Sequence, residues 1–305
     1  MNGLELSRAF YERNGKPMLE TEFPDLLPLI AVGLFGSGSE CLGYDDAVSV
    51  DHDFEPGFCI LLPEEALVDR RQAFLLERAY AKLPREFMGY TRPLMNPVGG
   101  ARRGVMRTAD FFTRTVGAPN GVLDLHAWLT IPEQALLEAT NGEVYHDPFG
   151  EVTRIRKTLS AFPEDVRRKR LAGQILLMAQ AGQYNVPRCL KHGEAEAAQL
   201  ASVEFVRSAA SAVFLLNRRY QPYYKWTFRA LRGLPELSEL AEPLSKLLAR
   251  PDTDTIEAVS AAVIAALQAQ ELSAAEGTDL ERHAYAVNNT IRDSELRNLH
   301  ILAGV

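Results

Sequence analysis

The run Ile30-Ala31-Val32-Gly33-Leu34-Phe35 is broken at once by Gly36-Ser37-Gly38-Ser39. So short an apolar run, ended by glycines, suits a buried strand closing in a tight turn rather than a helix. Val48 to Phe54, and Phe58-Cys59-Ile60-Leu61-Leu62 after Pro56-Gly57, have the same texture and predict further strands. Residues 4–22 mix Leu4, Ala9, Phe10, Met18 and Leu19 with charges and stop at Phe23-Pro24, which predicts an N-terminal helix or two. Pro63-Glu64-Glu65 predicts a helix start, followed by apolar positions at helical spacing up to Pro84. Val122-Leu123-Asp124-Leu125 reads as one more strand, after a Gly-, Pro- and Arg-rich stretch from Gly89 to Gly121, and Pro132-Glu133 as the next helix start. From Thr153 the pattern is helical over 164–181, 194–216, 223–231, 237–248, 255–270 and 280–302. The fold expected is therefore α+β, with a mixed-sheet domain over residues 1–150 and an all-α bundle over 151–305. No repeat of fixed period is present, which sets solenoids aside.

A chain of 305 residues accommodates two cores. With 47% apolar and 24% charged residues the composition is that of a globular protein. The formal charge of −7 argues against a partner such as extended nucleic acid, whose binding needs a basic surface. Uninterrupted apolar stretches such as 175–178 and 213–216 are far short of a membrane span, and the first residues lack a secretory pattern, so a cytoplasmic protein is expected. Cys41, Cys59 and Cys189 are odd in number and widely separated, as reduced buried thiols would be. His126, His146 and His192 have no partners at metal-ligand spacing.

The residues that point to chemistry lie between Gly36 and Phe54. On a strand, Asp51 and Asp53 would project to one face and His52 to the other. Two neighbouring carboxylates repel unless a cation lies between them, and hard oxygen donors of this kind suit Mg²⁺ or Mn²⁺ completed by substrate phosphates. A phosphate site follows from the Gly36–Ser39 turn, whose backbone N–H groups and Ser37 hydroxyl can face phosphate oxygens with no side chain in the way.

A strand, Gly36-Ser37, thirteen intervening residues and Asp51-x-Asp53 together resemble the signature of the nucleotidyltransferase superfamily that includes DNA polymerase beta and kanamycin nucleotidyltransferase. Over nearly the whole chain, Gly-Ser-Gly-Ser-Glu-Cys-Leu-Gly-Tyr-Asp-Asp, Asp-His-Asp-Phe and the run from Asn217 to Trp226 look like an uncharacterised bacterial group that joins this domain to a helical C-terminal one. The superfamily resemblance implies a metal-dependent enzyme in which an acceptor hydroxyl attacks the α-phosphorus of a nucleoside triphosphate such as ATP and pyrophosphate leaves. It also implies a third metal-binding or catalytic carboxylate, for which Asp124 is the best match, a turn or helix cap being its other reading. Glu143 and Asp110 are the substitutes. His52 departs from the pattern, which usually has an apolar residue between the two acids, and Asp45 and Asp46 add acids in a surface loop. Cations for the triphosphate are sought in Arg92, Arg102, Arg103 and Arg107, and in Lys225 beside Tyr223, Tyr224 and Trp226. Tyr220, Pro222, Tyr223, Tyr224 and Trp226 either stack on a flat ligand or pack two helices together. Gln183-Tyr184-Asn185 with Arg188 is either a polar cleft wall or a helix end. The acceptor expected is a small hydroxylated molecule. Transfer to RNA or protein, as in toxin-like relatives, and nucleotide binding without turnover are the alternatives.

Overall fold

A computed structural model describes residues 1–46, 48, 55–92 and 103–305. The N-terminal segment is continuous helix: α1 (Gly3–Phe10), a wider π turn (Tyr11–Gly15) and α2 (Lys16–Glu22). Asn2 starts it with a capping box, accepting from the Glu5 N–H at 2.8 Å while Glu5 Oε2 takes the Asn2 N–H at 2.9 Å. β1 (Ala31–Leu34) follows, then β2 (Cys59–Leu62) and α3 (Arg70–Lys82). The helix does not begin at Pro63 as its sequence suggests. Asp69 and Gln72 form the reciprocal cap that sets the start seven residues later, with the Gln72 N–H on Asp69 Oδ1 at 2.8 Å and the Asp69 N–H on Gln72 Oε1 at 2.9 Å.

The short pair β3 (Glu86–Phe87) and β4 (Tyr90–Thr91) precedes β5 (Gly104–Arg107) and α4 (Thr108–Val116). Neither β5 nor α4 is signalled by the Gly- and Arg-rich composition around them. The strand expected at 122–125 is absent: that segment is loop leading into α5 (Leu125–Thr130). α6 (Glu133–Thr140), β6 (Glu143–His146) and α7 (Glu151–Leu159) come next. The strand expected at 48–54 lies, apart from Val48, outside the described residues.

The main sheet is mixed, in the order β5-β2-β1-β6, with β1 antiparallel to both β2 and β6 and β2 parallel to β5. Its central strands are buried at every residue, which is why they read as unbroken apolar runs and not as alternation. Phe10, Tyr11, Leu19, Ile30, Val32, Phe58, Ile60 and Leu76 form the core against the N-terminal helices and α3. The Tyr80 hydroxyl donates to the Phe58 carbonyl at 2.8 Å and accepts its N–H at 3.1 Å, fixing the approach to β2. Burial pushes that phenol up to about 12.

The chain divides into two compact units interleaved in sequence: residues 1–123 with 135–160, and residues 124–134 with 161–305. The first contains the sheet. The second is all helix: α5, the start of α6, α8 (Glu164–Met178), a π segment (Ala179–Asn185), α9 (Val186–His192), α10 (Ala195–Leu216), α11 (Tyr224–Leu231), α12 (Ala241–Ala249), α13 (Thr253–Ala269), α14 (Leu280–Asn289) and α15 (Ser294–Asn298). α10 is, by length and composition alone, apolar enough to cross a membrane, yet 67% of its most apolar window is buried within the protein. It is the unit's central helix, and its hydropathy comes from its alanines together with Val206, Val213, Phe214, Leu215 and Leu216.

α8 departs from the amphipathic pattern expected of it. Arg167 and Lys169 are fully enclosed; Arg167 is satisfied by the Glu164 carboxylate and a backbone carbonyl, Lys169 by a backbone carbonyl and an amide oxygen. Arg167 Nη1 donates to the Leu215 carbonyl at 3.0 Å, and Lys169 Nζ to the Leu299 carbonyl at 2.7 Å and Asn288 Oδ1 at 3.0 Å. Buried donors matched in this way lock the helix to its neighbours.

Candidate functional site

At the C-terminal end of β1 the chain leaves the sheet through Phe35 and enters the Gly36–Ser39 turn. Gly36 and Gly38 have φ of 112° and 133°, a region open in practice only to glycine. A Cβ on Gly38 would also strike both carboxylate oxygens of Glu40. The turn is held from two sides. Asn141 pairs with Gly36 like a strand, accepting its N–H at 3.0 Å and donating to its carbonyl at 2.8 Å. On the other side, Glu40, in the short 3-10 turn Glu40–Leu42, forms a buried ion pair with Arg103 at 3.3 Å. Arg103 also donates to the Glu55 carbonyl and approaches the Glu55 carboxylate at 3.8 Å. One guanidinium therefore ties the turn to the residue at which the described chain resumes, two positions after Asp53.

The inner side of the turn is committed and the outer side is open. Ser37 is exposed and Ser39 half-buried, and among the described residues neither hydroxyl makes a hydrogen bond. Two glycines in succession leave the intervening backbone uncovered by side chains. The Ser37 and Ser39 hydroxyls are the donors left for an anion here, with the Gly36 N–H taken by Asn141 and the Glu40 carboxylate beside Gly38. Asp51, His52, Asp53 and Arg102 lie outside the described residues. Among the described residues, no group of three His, Cys, Asp or Glu side chains is placed to hold a metal.

Several other expectations find different physical employment. Asp124 is the N-cap of α5, its Oδ1 accepting the Ala127 N–H at 2.7 Å. It belongs to the second unit and caps a helix instead of standing on a sheet strand. Glu143 does stand on the sheet, opposite Leu34 across β1 and β6, but its carboxylate is engaged by Arg8, with Nε at 3.2 Å. Asp110 lies in the first turn of α4. Asp45 accepts the Gly3 N–H at 2.6 Å and so anchors α1 instead of decorating a free loop.

Arg92 stacks over the rings of Tyr80 at 4.8 Å and Phe10 at 5.5 Å and donates to the Leu83 carbonyl at 3.3 Å. Arg107 Nη1 donates to the carbonyls of Pro63 and Val68, each at 2.7 Å. Arg103 is the ion-paired clamp described above. Lys225 is exposed on α11, in the second unit, with its ammonium 5.0 Å from the Trp226 ring centre. Gln183 ties its π segment to Glu257 and Thr278 at 2.9 and 2.8 Å, and Arg188 lies 5.0 Å from the Tyr184 ring centre; the expected helix end is absent, because helix runs without a break from α8 through the π segment into α9. Of the aromatic run, Tyr220 packs edge-on against Phe162 at 5.0 Å, while Tyr223 and Tyr224 are exposed. His146 Nε2 lies 2.8 Å from the Leu27 carbonyl, a structural contact.

Residues 128–227 match a family model described as a domain of unknown function, DUF4037. No curated protein and no solved structure gives a match. The matched segment covers a third of the chain. It includes Asn141 and the aromatic run through Thr227, while the Gly36–Ser39 turn, Asp51 and Asp53 precede it.

Sequence reasoning passed over a second polar centre, in the helical unit. Glu133, at the start of α6, pairs with Arg170 at 3.5 Å and accepts the Gln221 N–H at 2.7 Å. Arg170 Nη1 donates to the Leu129 carbonyl at 2.9 Å, and its guanidinium lies 5.0 Å from the Phe162 ring centre. Burial pushes the Glu133 carboxyl up, and the charge of Arg170 and the Gln221 N–H oppose it. The only signal for this pair was Glu133 beside Pro132, which reads as an ordinary helix start.

Proposed function

We propose that this chain is a metal-dependent nucleotidyltransferase that moves a nucleoside monophosphate from a nucleoside triphosphate to a hydroxyl of a small molecule, releasing pyrophosphate. The observation that carries the reading is the Gly36–Ser39 turn, which follows a buried strand and has two glycines at positive φ and serine hydroxyls that make no hydrogen bond among the described residues. It is joined through Arg103 to Glu55, directly after the Asp51-x-Asp53 pair. In this reading Ser37 and Ser39 bind the phosphate oxygens, while Asn141 and the Glu40–Arg103 pair keep the turn in shape. The donor set of Asp51 and Asp53 is two hard carboxylates one residue apart, which fits Mg²⁺ or Mn²⁺. Such a cation, when bound, neutralises triphosphate charge and lowers the pKa of the acceptor hydroxyl. The engagement of Arg92 with Tyr80, Phe10 and Leu83 supports a packing role.

Incubation of the protein with α-labelled nucleoside triphosphates, Mg²⁺ or Mn²⁺ and a small-molecule extract should give a labelled product and pyrophosphate, and Asp51→Asn or Asp53→Asn should remove both. Unchanged labelling in these variants would end the metal assignment. A second reading, nucleotide binding without turnover, is favoured by the employment of Asp124 as a helix cap. It predicts binding with no labelled product under any acceptor.

A further inference from the structure

A cavity of about 830 Å³ lies wholly within the helical unit, within the range of about 300–1,000 Å³ usual for small-molecule sites. Three helices and the α5–α6 connection over 129–134 line most of it, with Gly304 and Val305. α8 contributes Arg170 and Gln174, one turn apart, α10 contributes Ser208 and Ser211, and the start of α11 contributes Tyr223 and Tyr224. On α10 the wall is made of the small residues Ser208, Ala210 and Ser211, where larger side chains would fill the space.

The lining has a chemical character of its own. Ser208 and Ser211 are 2% and 6% exposed, and among the described residues their hydroxyls make no hydrogen bond. Buried hydroxyls without protein partners are completed by water or by a ligand's polar groups. The charges on the wall cancel: Glu133 pairs with Arg170 at 3.5 Å, and Glu204 with Arg207 at 3.8 Å. Among the described lining residues each cation already has a carboxylate partner, and Arg170 Nε remains as a buried donor without a hydrogen bond, so the wall offers a neutral acceptor a partner but gives a charged ligand no unpaired counter-ion. Tyr223 and Tyr224, 46% and 75% exposed with ring centres 4.2 Å apart, offer aromatic faces at the edge. Such faces stack on planar bases and on the C–H side of sugar rings.

We infer that this cavity binds a neutral, hydroxyl-bearing ring compound of nucleoside or disaccharide size, held by Ser208, Ser211 and Gln174 and stacked on Tyr224. The inference does not rest on the nucleotidyltransferase reading, and the two fail separately.

The test is titration calorimetry and saturation-transfer NMR on the full chain with two ligand arms, adenosine and cytidine in one, methyl glucoside and maltose in the other. At least one arm should show saturable binding, and the arm that does identifies the source. Tyr224→Ala, a change at an exposed residue, should weaken it at least tenfold with Tm unchanged. Ser211→Phe should abolish it by filling the space, and because that change can also disturb α10, the Tyr224→Ala result decides. Ser37→Ala should leave this binding intact, which separates it from the nucleotide site. Absence of saturable binding in both arms, or equal affinity in Tyr224→Ala, would overturn the inference.

Discussion

At the scale of single residues, the turn after β1 depends on partners that are remote in sequence. Asn141 lies 105 positions from Gly36, so nothing in the local pattern announces it. The glycines, in contrast, are legible, because positive φ at Gly36 and Gly38 demands that residue type. Asn141→Ala removes two hydrogen bonds to a buried backbone and should lower stability by about 1–3 kcal/mol in urea unfolding. Ser37→Ala removes an exposed hydroxyl with no partner and should leave stability within about 0.5 kcal/mol while raising the apparent KM for nucleotide. Asp124 shows why a residue type alone does not fix a role: an aspartate after an apolar pair reads equally as a strand acid or a cap, and the backbone geometry that decides is not in the spacing. Glu164 carries a pH dependence. Its partial burial works against ionisation, but hydrogen bonds from Arg167, Arg218 and Arg168 outweigh it and hold the carboxyl at about 2. The folded value lies below the unfolded one, so the stabilisation is complete above the unfolded pKa of about 4.3 and is lost as pH falls toward 2. Glu164→Gln should flatten acid unfolding over that window, by about 1–2 kcal/mol after allowance for solvent screening of a partly exposed group.

At the scale of elements, long helices and buried strands were visible because their periodicity or unbroken apolarity extends over many residues. β1 and β2 and the helices of the second unit belong to this class. β5 and β6 did not, because four residues give too little pattern: Glu143-Val144-Tyr145-His146 becomes a strand through pairing with β1 rather than through its composition. The start of α3 was legible but misread. Pro63 is a helix-start signal, yet Asp69 and Gln72 satisfy two otherwise unpaired N–H groups, and this defines the end. Asp69→Ala should therefore cost about 1 kcal/mol, read as a shift in the denaturant midpoint with unchanged slope.

At the scale of the whole molecule, α+β character with a small mixed sheet and a helical majority follows from sequence texture. The interleaving of the two units does not. Residues 124–134 belong with the helices because Arg170 gathers the Leu129 carbonyl and the Glu133 carboxylate, contacts that no periodicity encodes. Glu133→Ala would leave the buried Arg170 unpaired and should destabilise the protein by about 3–5 kcal/mol, seen as a lowered Tm. The central claim concerns the other unit, where the Gly36–Ser39 turn and the Asp51-x-Asp53 pair are taken as one nucleotide site. The most direct measurement is calorimetric binding of non-hydrolysable nucleoside triphosphate analogues with and without Mg²⁺. The account predicts saturable, Mg²⁺-dependent binding of at least one analogue, lost in Asp51→Asn and weakened in Ser37→Ala. Failure of all analogues to bind, or binding that is indifferent to both substitutions, would contradict it.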